Sequence, residues 1–241
     1  MIRVMIVDDQ RPARMGFALM IAVDHGLQVI GQAGNGKEAL DFLEFAEKQQ
    51  RFLPDVILMD VRMPIMDGLD ATSVIKERYP SIRVIILTTY DQDDYAFGGL
   101  SAGASGFLLK DVRAADLCKA IRSVCAGDAI LTPRITGEVI RRGITAAKTN
   151  EEEMELQQQF ANLGRREFEV ASLISEGLTN AEIAQRLGVH ADSVKKTVSR
   201  ILKKLGVRER LNIAVLWYKA AMDQNVGHPS KHLRRPPKVI G

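Results

Sequence analysis

Val56-Ile57-Leu58-Met59-Asp60 sets four apolar side chains in succession and ends them on a carboxylate. A short unbroken apolar run suits a strand buried on both faces, as in a parallel sheet covered by helices. The pattern recurs along the first half of the chain. Arg3–Val7 runs into Asp8 and Asp9, Val84–Leu87 into Thr88, and Gly106–Leu109 into Lys110, while Gln28–Ala33 supplies a fifth run. Helical patterns separate them at Pro12–Asp24, Gly36–Gln50, Asp67–Tyr79 and Gln92–Ala102, and a fifth covers Val112–Ala126. Strand–helix alternation predicts a doubly wound α/β domain around a five-stranded parallel sheet. Pro54 and Pro80 fall in helix-to-strand connections, where proline is tolerated.

In such a sheet all strand C-termini share one edge. With strand order 2-1-3-4-5, the first and third strands are neighbours at the switch point where ligands bind. Asp8, Asp9, Asp60, Thr88 and Lys110 then converge. One acid at a strand end is usually a loop starter or helix cap; five reactive groups, each at a strand end, suggest a site. Carboxylate oxygens are hard ligands suited to Mg²⁺. Crowded carboxylates repel one another, and a divalent cation relieves that repulsion. The cation also offsets the charge of a phosphoryl group, whose transfer depends on positioning and electrostatics. Asp60 can then act as nucleophile and form an acyl-phosphate. Thr88 and Lys110 can hold the phosphoryl oxygens.

The remainder of the chain has a different character. Residues 161–241 hold 15 Lys/Arg against 7 Asp/Glu, a net charge of +8, whereas residues 1–160 hold 18 against 23, a net charge of −5. A basic C-terminal half points toward nucleic acid, although a solvated basic surface has the same composition. Thr132–Pro133 resembles an N-cap and first-turn proline for a short helix to about Arg142. Residues 127–160, with the run Glu151-Glu152-Glu153, read as a solvated linker that turns helical at its end. From Leu163 the pattern is all helical, at Arg165–Ser175, Asn180–Leu187, Ala191–Leu205 and Arg208–Met222. Thr179-Asn180-Ala181-Glu182 has the form of a capping box. On the third of these helices Val194, Val198, Ile201, Leu202 and Leu205 form one apolar stripe. Lys195, Lys196, Ser199 and Lys203 project from the other side, as a helix reading the major groove requires. The tail from Asn225 is basic, proline-bearing and poor in apolar residues, so disorder is expected there.

Other features narrow the setting. No apolar run reaches the roughly 18–20 residues of a membrane span. The N-terminus turns acidic too soon for a secretory signal. Cys118 and Cys125 lie seven apart on one predicted helix, a spacing that places them on a shared, core-facing side and too far apart to bridge. Two thiols without a disulfide pattern fit a reducing, cytoplasmic setting. The four histidines show no metal-ligand spacing.

The stretches VMIVDDQ, LMDVRMPIMDG, VIILTTYD and AGASGFLLKD resemble the receiver domain of two-component response regulators, over residues 1 to about 126. The stretch LGRREFEVASLISEGLTNAEIAQRLGVHADSVKKTVSRILKKLGV resembles the LuxR-type helix-turn-helix of the NarL/FixJ group, over about 161–224. The resemblance implies a flavodoxin-like receiver followed by a four-helix DNA-binding domain. It implies that Asp60 is the phosphoacceptor and that Asp8 and Asp9 are the acidic pair at the Mg²⁺. The carbonyl of Arg62 would be a further ligand, Thr88 the switch hydroxyl and Lys110 the conserved-type lysine. Phe107 falls at an aromatic switch position, and reads equally well as a core residue of its strand. Arg62 and Tyr90 flank the site where the family tunes attack by water, which suggests slow self-dephosphorylation. For the second domain the resemblance implies contacts to duplex DNA from Thr179, Lys195, Lys196, Ser199, Arg200 and Lys203, with the last helix dimerising. The implied partners are a sensor histidine kinase, promoter DNA, a second copy of the chain and RNA polymerase.

The match has departures. Gly164 stands where the family usually caps with Ser or Thr, His190 replaces a Ser/Thr cap, and Thr197 replaces a common His. Three other readings stay in view. A haloacid-dehalogenase-type phosphohydrolase would place a second aspartate two residues after the nucleophile, where this chain has Arg62. A constitutive DNA-binding protein would use the first domain only to dimerise. A ligand-sensing quorum regulator would share the second domain without this first one.

Overall fold

The computed structural model describes residues 1–89, 102–128, 150–220 and 222. The described residues divide into two compact units, one holding those within 1–128 together with 209–212 and one holding those within 150–208 and 213–222. The sequence-predicted helix at 92–102 up to its last residue, the helix at 132–142, Tyr90, and the tail from Asn225 lie outside the described residues.

The first unit alternates β1 (Ile2–Val7), α1 (Arg11–Ala22), β2 (Leu27–Ala33), α2 (Gly36–Lys48), β3 (Val56–Asp60), α3 (Gly68–Arg78), β4 (Arg83–Thr88), β5 (Gly106–Leu109) and α4 (Ala114–Cys125). All strands are parallel, in the order β2-β1-β3-β4-β5. Every residue of β3 is buried, as its unbroken apolar run required. Successive strand side chains face opposite ways. Val4, Ile6, Val56, Leu58, Ile85 and Leu87 pack with Phe17 and Ile21 of α1 and Leu117, Ile121 and Val124 of α4. Met5, Val7, Ile57, Met59 and Phe107 alternate with them and are also fully buried. The helices are anchored locally: Asn35 caps α2 through Glu38 N–H at 3.0 Å, and Asp67 caps α3 through Leu69 and Asp70 N–H, each at 2.9 Å.

The two cysteines do not share the environment that their spacing suggested. Cys118 is buried, but Cys125 is exposed. Cys125 is the last residue of α4, and there Ile121 and Val124 already fill the place against the sheet.

The second unit comprises α5 (Asn150–Ala161), α6 (Arg165–Ser175), α7 (Asn180–Leu187), α8 (Ala191–Leu205) and, from Ile213 on, α9 (Arg210–Lys219). The stretch read as a linker thus ends in three turns of helix, and Phe160 from it is fully buried in this unit's core. The core gathers Phe168, Val170 and Ile174 of α6, Ile183 of α7, Val194, Val198, Ile201 and Leu205 of α8, and Trp217 of α9. Phe160 meets Trp217 edge to face at 5.3 Å between centroids, and Phe168 lies 5.1 Å from the same ring. Each such aromatic pair adds about 0.5–1.5 kcal/mol beyond area burial. Gly188 and Gly206, in left-handed conformations at φ 64° and 68°, end α7 and α8 and allow the tight turns on either side of α8.

Candidate phosphoryl site and DNA-binding face

Parallel pairing sets the depth at which each acidic group emerges. Val7 pairs with Met59 and Asp60 with Leu87, so Asp8 and Asp60 leave neighbouring strands at one edge. Carboxylate oxygens of Asp8, Asp9 and Asp60 all lie within 4.8 Å of one another. Asp8 and Asp60 are buried, while Asp9 is exposed and leaves the cluster open to solvent on one side. Lys110 reaches in from the end of β5, its Nζ 2.7 Å from Asp8 Oδ2 and 2.9 Å from Asp60 Oδ1. Burial pushes the Asp60 carboxyl above its ordinary value, and the Lys110 ammonium only partly offsets this. For Lys110, burial works against the charge, but its bonds to Asp8 and Asp60 outweigh it and hold the ammonium above its ordinary value.

Backbone contacts hold this arrangement. Asp60 Oδ1 accepts the Val61 N–H at 2.9 Å, and Asp8 Oδ1 accepts that of Gln10 at 2.8 Å. Lys110 N–H donates to the Thr88 carbonyl at 2.8 Å, which brings those two residues side by side. The Thr88 hydroxyl is almost fully buried and donates to the carbonyl of Thr89 at 3.2 Å. Phe107 is wholly buried opposite Ile86, and Arg62 is exposed just beyond Asp60. Three hard oxygen donors converge here with one ammonium, a donor set that suits a small divalent cation such as Mg²⁺.

In the second unit the recognition helix α8 divides as the sequence suggested. Val194, Val198, Ile201 and Leu205 are buried, while Lys195, Lys196, Ser199, Arg200 and Lys203 are exposed. Among the described residues none of Lys195, Lys196, Arg200 and Lys203 sits in an ion pair, whereas Lys204, on another side, binds Glu167 at 2.7 Å. Thr179 closes the capping box on α7. Its Oγ1 accepts the Glu182 N–H at 3.3 Å, and Glu182 Oε2 accepts the Thr179 N–H at 2.7 Å.

Comparison with known proteins follows the same division. Residues 4–122 match the response regulator receiver domain, and residues 161–217 match the bacterial regulatory proteins of the luxR family. The transcriptional regulatory protein LnrK of Bacillus subtilis is 36% identical over 89% of this chain and 96% of its own. The DNA-binding transcriptional activator DevR/DosR of Mycobacterium tuberculosis is 34% identical over 89% of this chain and 93% of its own. This chain is a response regulator of the NarL/LuxR family. A solved LuxR-family response regulator from Aurantimonas is 29% identical, covers 59% of this chain and 97% of its own, and superposes with a TM-score of 0.51. The regulator is a phosphorylation-controlled transcription factor of a two-component system.

Sequence reasoning missed several groups that shape the regulator's two sites. Arg14 Nη1 donates to the Asp8 carbonyl at 2.6 Å and so braces the loop that carries the acidic pair. It falls one turn into α1, where a half-exposed arginine carries no signal by itself. Gly68 lets the start of α3 pass against β3, since a Cβ there would collide with the Asp60 carbonyl oxygen. Glu167 accepts the Gly164 N–H at 2.8 Å and so supplies the half of a capping box that needs no side chain at the cap. Its spacing from Gly164 was the available signal, hidden by the absent Ser or Thr. His190 caps α8 without a side-chain hydrogen bond.

Proposed function

We propose that Asp60 takes a phosphoryl group from the phosphohistidine of a sensor kinase. Its carboxylate oxygen attacks phosphorus, the P–N bond breaks, and the imidazole leaves as an acyl-phosphate forms. The observation that carries this reading is the meeting of Asp8, Asp9 and Asp60 within 4.8 Å under the ammonium of Lys110. Asp8, Asp9, Asp60 and the carbonyl of Arg62 would hold Mg²⁺. When bound, that ion supplies positive charge against the phosphoryl oxygens. Lys110 pairs with a phosphoryl oxygen in place of the Asp60 carboxylate, and the Thr88 hydroxyl turns from the Thr89 carbonyl toward the new charge. Phe107 follows into the space that Thr88 leaves. This favours one of two states of the face that includes β5 and α4. Water slowly attacks phosphorus, the P–O bond to Asp60 breaks, and inorganic phosphate leaves as the carboxylate is restored.

Residues 1–126 act as the receiver, 127–160 as the connection, 161–224 as the DNA-binding domain and 225–241 as a basic tail. Phosphorylation favours a homodimer whose paired α8 helices enter two half-sites of promoter DNA, where RNA polymerase is the further partner. Lys195, Lys196, Ser199, Arg200 and Lys203 face the groove, and Thr179 contacts the backbone at the start of α7. The relative DevR/DosR is described as a DNA-binding activator, which supports this reading. Phosphotransfer to the unaltered chain and to Asp60→Asn, followed by footprinting on genomic DNA, tests it. Labelling of Asp60→Asn to the same extent, or footprints indifferent to phospho-donor, would reject it.

A further inference from the structure

Thr197 lies on α8 between the apolar stripe and the basic face and is 6% exposed. Its Oγ1 donates to the Ser193 carbonyl at 3.0 Å and accepts from Arg200 Nη2 at 3.1 Å. A hydroxyl whose hydrogen is committed to a helix carbonyl has only lone pairs left, so its second partner must be a donor. The guanidinium meets that need and keeps its other N–H groups for an outside acceptor. Beside this pair is a cleft of about 260 Å³, lined by Arg166, Val189, Ser193, Lys196, Thr197 and Arg200 among others. Arg166 is neutralised by Glu169 at 2.8 Å and tied to the Leu187 carbonyl at 3.1 Å. Among the described residues Lys196 and Arg200 have no carboxylate within ion-pair distance, so the cleft keeps a net positive charge.

We infer that Thr197 is a positioning residue: it holds the Arg200 guanidinium toward this cleft, which seats one backbone phosphate of the bound duplex. The inference rests on the DNA-binding reading above and adds to it a phosphate seat and the group that shapes it. A guanidinium offers paired N–H donors that match phosphate oxygens better than a point charge does. A long side chain that is already tied down loses less rotamer freedom on binding than a free one.

The test is a double-mutant cycle on the full-length chain. Dissociation constants for a random-sequence DNA duplex are measured from about 50 to 200 mM salt. Thr197→Val should weaken binding about three- to tenfold, and Thr197→Ser should restore it. In an Arg200→Ala background Thr197→Val should change nothing further. Arg200→Ala should make the salt dependence shallower by about 0.9 in log–log slope. Unchanged affinity in Thr197→Val, or an equal loss in both backgrounds, overturns the inference. Because Thr197→Val could disturb packing, nitrogen relaxation of the Arg200 Nε–H in the unaltered protein is a second test. It should show more order than that of Arg165, and equal order overturns the inference. If the unaltered chain fails to bind duplex even after incubation with phospho-donor, the DNA-binding reading falls and takes the inference with it. If it binds and the cycle is additive, only the inference falls.

Discussion

The ammonium of Lys110 lies 2.9 Å from the carboxylate of Asp60, across the sheet edge from the end of β5 to the end of β3. That ammonium also serves Asp8, so one cation compensates two buried acids. Asp60→Asn removes one negative charge from this crowded site along with the nucleophile. Acyl-phosphate formation should disappear, as intact mass after incubation with a small phospho-donor and Mg²⁺ would show. Thermal stability without metal should stay equal or rise, because carboxylate repulsion falls. A drop in Tm of the metal-free variant would mean that Asp60 is chiefly a structural partner of Lys110.

Gly68→Ala probes the same edge from the other side. The added methyl would meet the Asp60 carbonyl oxygen, so the β3–α3 connection has to move. The expected cost is about 1–3 kcal/mol, in the range of overpacked cores. Phosphoryl acceptance should fall with it. Urea unfolding that matches the unaltered chain would contradict the close approach.

Glu167 gives the second unit a pH dependence of known sign. Burial works to raise its pKa, but the Lys204 ammonium and the Gly164 N–H outweigh it and hold the carboxyl below its ordinary 4.5. A depressed folded value means that the contribution is fully present above the unfolded value and is lost as pH falls through the folded one. Glu167→Gln should cost about 1 kcal/mol near neutral pH, comparable to a lost helix cap. The difference from the unaltered chain should shrink below pH 4.5. Denaturant titrations at several pH values check this; a difference that stays constant into acid would show that charge is not involved.

The unpaired lysines of α8 should separate by role. Lys203→Ala, if it removes a phosphate contact, weakens binding to all sequences and lowers the salt slope by about 1. Lys195→Ala, if it removes a base contact, costs about 1–3 kcal/mol on the operator and relaxes preference at one position. Binding measured on specific and random duplexes at several salt concentrations distinguishes the two. Equal, small effects on both duplexes would place these side chains outside the interface.

Arg62 is exposed two residues beyond the phosphoacceptor, and in the proposed mechanism its side chain would restrict the approach of water. The phosphorylated chain should persist for minutes or longer, and Arg62→Ala should shorten that lifetime. Decay of the unaltered phospho-form within seconds would end this account.

The strands of the sheet were legible in the sequence because they depend on local pattern, whereas their order 2-1-3-4-5 came with the resemblance to receiver domains and not from the apolar runs. Unbroken apolar runs such as Val56–Met59 can only be buried on two faces, and acids at their ends mark one edge. The recognition helix was legible for the same reason, since Val194, Val198 and Ile201 repeat at helical spacing. Cys125 was misplaced because spacing fixes the side of a helix but not where the neighbouring core stops.

Sequence alone thus determined which groups could meet: three carboxylates, a hydroxyl and an ammonium at strand ends, and a row of cations along one helix. Only the tertiary structure decided which pairs bond. Lys110 bridging Asp8 and Asp60, Arg14 bracing the acidic loop, Glu167 binding Lys204 and Thr197 holding Arg200 all depend on distances of about 3 Å. Hydrogen bonds weaken steeply outside a narrow range of distance and angle. Residue type and spacing along the chain do not fix distances that finely; packing does.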